Sequence, residues 1–156
     1  MGYDLILVDG YSITYAWPDL RALQRKSFAA ARDALIAKVS AFASHSGQRV
    51  TIVFDGTKQR NPTPETKLPL CEIVFSDYGE TADDVIERCV AEAKDPLRVL
   101  VVTDDGAEQM TVQSFGAFTL SADLFRAMVD DEITELNRRI HRTKTQAKAS
   151  FRRGAL

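Results

Sequence analysis

Along the chain, short uninterrupted aliphatic runs alternate with longer stretches in which apolar residues recur every three or four positions. The runs, bounded by Gly, Pro or Asp, read as buried strands, and the periodic stretches read as amphipathic helices. Strands are predicted at 5–8, 50–54, 70–75, 99–102 and 117–120. Between the first two, "SFAAARDALIAKVSAFASHSG" places Phe28, Ala31, Leu35, Val39 and Phe42 on one face, with Ser27 as N-cap and Gly47 as C-terminal stop. "ETADDVIERCVAEAKD" and "SADLFRAMVDDEITELNRRIHR" predict two further helices, and "GAEQMTVQSFG" a shorter one. The stretch 56–69 holds three of the five prolines and few apolar residues, and reads as a long loop. Strands alternating with helices in this way imply an α/β domain: a five-stranded, mostly parallel sheet flanked by helices in three layers.

At 156 residues and 45% hydrophobic, the chain has the size of one compact domain. The net charge of −2 selects no partner, but its distribution is uneven. Residues 1–135 hold 13 Lys and Arg against all 22 Asp and Glu, while residues 136–156 hold the other seven basic residues and no acid. The expected organisation is therefore a domain over 1–135 and a basic helix end and tail over 136–156, the last dozen residues reading as disordered in isolation. Cys71 and Cys89 lack zinc-site spacing and read as reduced core residues. No signal peptide or membrane span is predicted, and a soluble, cytoplasmic protein is expected.

Ligands of open parallel sheets bind at the carboxyl ends of the strands. Strand one ends in Asp9, strand two in Asp55, and strand four in Thr103, Asp104 and Asp105. The helix near Glu80 starts on the same edge and adds Asp83 and Asp84, of which Asp83 borders the apolar stripe and Asp84 points away from it. An aspartate before glycine is commonly a turn former, and acids in a first helical turn complement its dipole. Four acids converging on one edge repel one another, however. An all-oxygen cluster suits a hard divalent cation such as Mg²⁺ or Mn²⁺, which points to phosphoryl chemistry. Other phosphate motifs fail: "VFDGT" has Val53 where a haloacid dehalogenase-type nucleophile belongs, "DGYSITYAWP" is neither a Walker A nor a GxGxxG loop, and no lysine follows strand five as in a receiver domain.

The pieces "LVDGYSITYAWPDL", "AARDALIAKVSAF", "RVTIVFDG", "VFSDYGETADDVIE", "VVTDDGAEQ" and "LSADLFRAMV" resemble, in order and over nearly the whole chain, the YacP-like branch of the NYN family, ribonuclease domains related to PIN and FLAP nucleases. The resemblance implies a PIN-like fold and a divalent-metal endoribonuclease. It assigns catalytic roles to Asp9, Asp55, Asp83 and Asp105, with Asp9, Asp83 and Asp105 holding Mg²⁺ or Mn²⁺. Ser12, Glu80, Asp84, Thr103 and Asp104 are expected to support them. Ser12 stands where the family usually has asparagine and Asp104 where it has serine. Gly10 is read as leaving room for substrate backbone.

The implied partner is RNA, with mRNA on the ribosome among the candidates. Positive charge for it is expected from Lys58, Arg60 and Lys67 in the long loop and from Arg138, Arg139, Arg142, Lys144 and Lys148 in the terminal segment. Of the aromatics near the acids, Tyr11 or Tyr78 is expected to stack on bases, and Trp17-Pro18 to plug the first connection. His45 and His141 are isolated and carry no metal or base role. A non-catalytic RNA- or ribosome-binding adaptor on the same fold is the alternative from another class.

Overall fold

The computed structural model describes residues 2–56 and 66–154. The element order is β1 (Leu5–Asp9), α1 (Gly10–Ala16), α2 (Pro18–Lys26), α3 (Phe28–Ser46), β2 (Val50–Phe54), β3 (Thr66–Leu68), β4 (Cys71–Phe75), α4 (Ala82–Glu92), β5 (Val99–Val102), α5 (Gly106–Ser114), β6 (Phe118–Leu120) and α6 (Ala122–Gly154). The sheet runs β3-β4-β2-β1-β5-β6, with β4, β2, β1, β5 and β6 all parallel.

Period-two alternation divides each central strand between two cores. Ile6 and Val8 face one side, with Ile52, Phe54, Leu100 and Val102, under α1, α2, α3 and α6. Leu7, Val53, Val99 and Val101 face the other, under α4 and α5. Strands covered on both faces carry unbroken aliphatic runs for this reason, and "VLVV" of β5 is buried at every position. Each such side chain contributes about 1.5–3 kcal/mol of burial energy.

The long helix α3 has the predicted ends. Ser27 Oγ accepts from Ala30 N, and Gly47 closes it with φ of 75°. Ala31, Leu35, Val39 and Phe42 of its stripe are fully buried, but Phe28 is 45% exposed. Trp17 plugs the first connection as expected. Its Nε1 donates to Ala122 O at 2.9 Å, its ring stacks on Phe125, and the Arg126 guanidinium lies 4.6 Å from the ring centroid. This cluster ties α1 and α2 to the start of α6.

The structure departs from the sequence reading in three places. Part of the expected loop is β3, an edge strand antiparallel to β4, reached through a turn in which Leu70 takes φ of 61°. Three residues in a proline-rich stretch carry no periodic signal, so only pairing with β4 reveals the strand. Residues 10–26, which carry no predicted element, form α1 and α2. Third, α6 continues to Gly154 where disorder is expected, with every residue from 137 to 151 exposed. Among the described residues, no helix is long and apolar enough to cross a membrane.

Gly10 has a different role from the one expected. It is buried, and a Cβ there would lie 2.3 Å from Phe54 Cε1, so the missing side chain makes room for the Phe54 ring rather than for substrate. Gly10→Ala therefore overpacks the core, and urea denaturation should show a loss of about 1–3 kcal/mol. Adding Phe54→Leu should recover part of that loss in a double-mutant cycle; additive losses would count against the contact.

Candidate metal centre

The chain builds the sheet outward from β1 through β2 to β4, then returns to add β5 and β6 on the other side of β1. The carboxyl ends of β1 and β5 thus flank the point where the order reverses, and loops diverge there to leave a crevice. Asp9 is the last residue of β1 and precedes the first turn of α1. Asp83 approaches from α4, whose start is held by a capping box: Thr81 Oγ1 accepts from Asp84 N at 3.2 Å, and Asp84 Oδ2 accepts from Thr81 N at 3.0 Å.

The third carboxylate of the cluster is Glu108, which sequence reading passed over. Asp9, Asp83 and Glu108 each present an oxygen such that all three lie within 4.8 Å of one another. Glu108 is 2% exposed. Asp105 caps α5, its Oδ1 accepting from Ala107 N and Glu108 N at 2.9 and 3.3 Å, and this sets the turn that carries Glu108 inward. Thr103 Oγ1 donates to Glu108 Oε2 at 2.9 Å and accepts from Asp105 N at 3.1 Å, while Gln109 Nε2 holds the Thr103 carbonyl at 2.7 Å. One signal was available: Glu108 lies four residues before the buried Val112, on the inward stripe of α5.

The remaining sequence candidates fall in different places. Asp55, Ser12 and Asp105 border the cleft of about 480 Å³ that opens over Asp9 and Asp83. Asp55 is held by Ser76, whose Oγ lies 3.4 Å from Asp55 Oδ1 and accepts from Gly56 N at 2.9 Å. The structure gives three of the expected supporting acids other partners. Glu80 pairs with Arg88, Asp84 closes the α4 capping box, and Asp104 Oδ1 accepts from Ala122 N at 2.8 Å at the start of α6. Tyr11 is 6% exposed, its ring edge-on to Phe28 and Phe54, so it belongs to the core rather than to a stacking platform. Tyr78 is fully exposed. Lys58 and Arg60 lie outside the described residues, and Lys67 falls on β3. Arg138, Arg139, Arg142, Lys144 and Lys148 lie on the exposed half of α6.

The chain matches the model of the YacP-like NYN domain over residues 6–154. It belongs to the YacP-like NYN domain family. It is 37% identical over 142 residues to "Uncharacterized protein YacP" of Bacillus subtilis (strain 168), covering 89% of this chain and 80% of that protein. The fold is similar to the crystal structure of Rae1 (YacP) from Bacillus subtilis, with a TM-score of 0.81 at 32% identity over 94% of this chain and 85% of that one. The W164L mutant of the same protein superposes with a TM-score of 0.76 at 34% identity, over 90% and 83% of the two chains. The family has a nuclease-like α/β fold.

In this family member the electrostatics of the cluster favour a cation. Two carboxylates 4.8 Å apart repel by roughly 3–4 kcal/mol at an effective dielectric of 20. Glu108 Oε1 is buried and, among the described residues, meets no hydrogen-bond donor, so a proton, a water or a cation is needed to satisfy it. Burial, then the charges of Asp9 and Asp83, push the Glu108 carboxyl up to about 9. Burial and Asp83 raise Asp9 to about 6, against the pull of Glu108, the Ser12 N–H and the Thr103 hydroxyl. Three carboxylates, one of which carries an unsatisfied buried oxygen, fit a hard divalent ion, and the triad could bind one.

These shifts set how stability depends on pH. Glu108 keeps its proton in the folded chain up to about 9 but loses it near 4.5 when unfolded, so its contribution is complete below about 4.5 and is lost as pH rises toward 9. Glu108→Gln removes that loss. In EDTA its melting temperature should match wild type near pH 4 and exceed it at pH 8 by at least about 3 °C, the effect of roughly 1 kcal/mol in a domain of this size. A difference independent of pH would contradict the buried-acid assignment.

Proposed function

We propose that this protein is a divalent-metal-dependent endoribonuclease that hydrolyses RNA phosphodiester bonds at the crevice formed by Asp9, Asp83 and Glu108. The observation that carries the reading is the buried Glu108 oxygen, which has no hydrogen-bond partner among the described residues and belongs to a set of three carboxylates at the strand-order reversal of the sheet. A cluster kept only for stability would be better served by amides, which do not repel. The nuclease-like family supports the reaction class.

Asp9, Asp83 and Glu108 hold the ion, with Mg²⁺ or Mn²⁺ suited to an all-oxygen set. When bound, such an ion supplies Lewis-acid polarisation of a phosphate oxygen and lowers the pKa of a coordinated water. The chain supplies position. The end of β1 and the capped starts of α4 and α5 keep the three carboxylates in place before substrate arrives, so little reorganisation is needed. Thr103 orients Glu108, and Asp105 and Asp55 border the cleft where the strand enters. The proposed setting is the cytoplasm, a reducing compartment that keeps Cys71 and Cys89 as free thiols.

An acidic crevice repels a polyanion, so attraction comes from the basic residues of α6 and of the segment after Asp55. The exposed basic half of α6 also favours a second reading, a non-catalytic RNA- or ribosome-binding adaptor on the same fold. Turnover separates the two. End-labelled RNA should be cut with Mn²⁺ or Mg²⁺ and left intact in EDTA. Asp9→Asn and Glu108→Gln should each lose more than about 100-fold in rate, beyond the loss typical of groups that merely orient a metal ligand. Mn²⁺ should raise the melting temperature of wild type and leave that of Asp9→Asn unchanged. Full cleavage by a well-folded Asp9→Asn protein would remove the assignment. Deleting residues 143–156 takes away Lys144, Lys148, Arg152 and Arg153, and should flatten the slope of log K against log salt by up to about 3 if all four meet phosphates. An unchanged slope would exclude the deleted end of the helix from binding.

A further inference from the structure

One wall of the cleft is neutral and aromatic, in contrast to its acidic floor. Tyr15, Gln24 and Phe28 line the same cavity as Asp9 and Asp83. Tyr15 is 64% exposed, although it sits on a helix whose neighbours Ile13 and Thr14 are wholly buried. Phe28 lies in register with the buried stripe of α3 yet remains half exposed at its end. Its ring is braced edge-on by Tyr11 at 5.7 Å between centroids, and Tyr11 in turn packs edge-on to Phe54 at 5.0 Å, so a chain of rings roots this exposed aromatic in the core. Gln24 is fixed too: its side-chain amide hydrogen-bonds the hydroxyl of the fully buried Thr14, which leaves the other end of the amide to the wall.

We propose that Tyr15, Gln24 and Phe28 form a subsite for one unpaired nucleobase of the RNA strand whose phosphodiester crosses the acidic cluster. This rests on the nuclease reading above and adds the form of the substrate. A base offers a π-face to exposed rings and hydrogen-bonding edges to an amide, and it carries no charge to be repelled by the neighbouring carboxylates. Among the described residues that line the cleft none is a cation; the Arg21 guanidinium lies 6.0 Å from the Tyr15 ring centroid, outside the lining, and leaves Tyr15 64% exposed. A volume of about 480 Å³ lies within the usual range for small-ligand pockets, enough for a single splayed nucleotide. A base inside a duplex has both faces stacked and its edge paired, so the subsite selects single-stranded RNA. Tyr78, though more exposed, does not border this cleft.

The test measures binding and cleavage separately. Fluorescence anisotropy with a labelled single-stranded RNA hexanucleotide, in EDTA and low salt, gives affinity without turnover. Tyr15→Ala and Gln24→Ala are compared with wild type, with Tyr15→Phe as the conservative variant and Phe28→Leu keeping an apolar contact to Tyr11. Tyr15→Ala should weaken binding by roughly 5- to 150-fold, the range of one lost base stack. Tyr15→Phe should bind as wild type, and the same sequence as a duplex should bind at least 10-fold more weakly than the single strand. In Mn²⁺, the loss for Tyr15→Ala should appear in KM with kcat nearly unchanged. Wild-type affinity in Tyr15→Ala, equal binding of duplex, or no binding of the single strand by wild type would each overturn the subsite. If Tyr15-dependent binding holds but no metal supports cutting, the nuclease reading fails and the subsite stands. Metal-dependent cutting by Tyr15→Ala with a native KM is the reverse result.

Discussion

Three carboxyl groups with oxygens inside 4.8 Å of one another repel, and the most buried of them has an oxygen that no donor reaches among the described residues. The surrounding architecture works to hold that arrangement. β1 carries Asp9 from the centre of the sheet, where β2 and β5 pair with it on both sides. The Thr81–Asp84 capping box anchors the turn bearing Asp83, and the Asp105 cap with the Thr103 hydroxyl anchors the turn bearing Glu108. Hydrogen bonds to backbone groups at helix starts are well suited to this task, because they fix direction while adding only the partial positive charge of the helix end and no full cation that would neutralise the cluster. A divalent ion would convert the repulsion into ligation, and the raised positions of Glu108 and Asp9 express the same physics in protons.

Packing on the other face of the sheet supports the site from behind. Gly10 allows the Phe54 ring to lie directly under the first turn of α1, and Tyr11 packs on the same ring. Trp17 then ties the end of α1 to the start of α6, whose first N–H, that of Ala122, is met by Asp104 from the loop after β5. The loops that bear Asp9 and Asp105 are therefore joined through α6 as well as through the sheet. The Asp104 carboxylate accepts from the Ala122 N–H at the start of a helix that reaches 33 residues. Ser12 contributes on the same side, its Oγ accepting from Asp104 N at 3.4 Å.

Charge is segregated to match. The acids concentrate in the domain body, while the last turns of α6 are basic and free of acid. The helix leaves the body after Leu136 and exposes both its cations and the apolar Ile140 and Phe151. The field around the exposed end of α6 is therefore opposite in sign to that at the crevice.

Features governed by neighbours in the chain were readable from the residues alone. The strands followed from unbroken aliphatic runs, α3 from its three- and four-residue spacing between Ser27 and Gly47, and the placing of Asp9 at a strand end from the sudden change of polarity after Val8. Convergence of acids on one edge followed from strand direction, which is set by the alternation of strands and helices. Tertiary structure decided the rest. Glu108 resembles an ordinary first-turn acid until Thr103 and the packing of Val112 turn it inward. Tyr11 and Tyr15 are alike in sequence, and only the Phe54 ring makes one a core residue and leaves the other at the cleft. β3 exists because β4 lies beside it, and Gly10 is required because of a side chain 44 positions away. Local propensity determines which segments become helix or strand, but the environment of a side chain depends on contacts between distant segments, which form only when the sheet assembles.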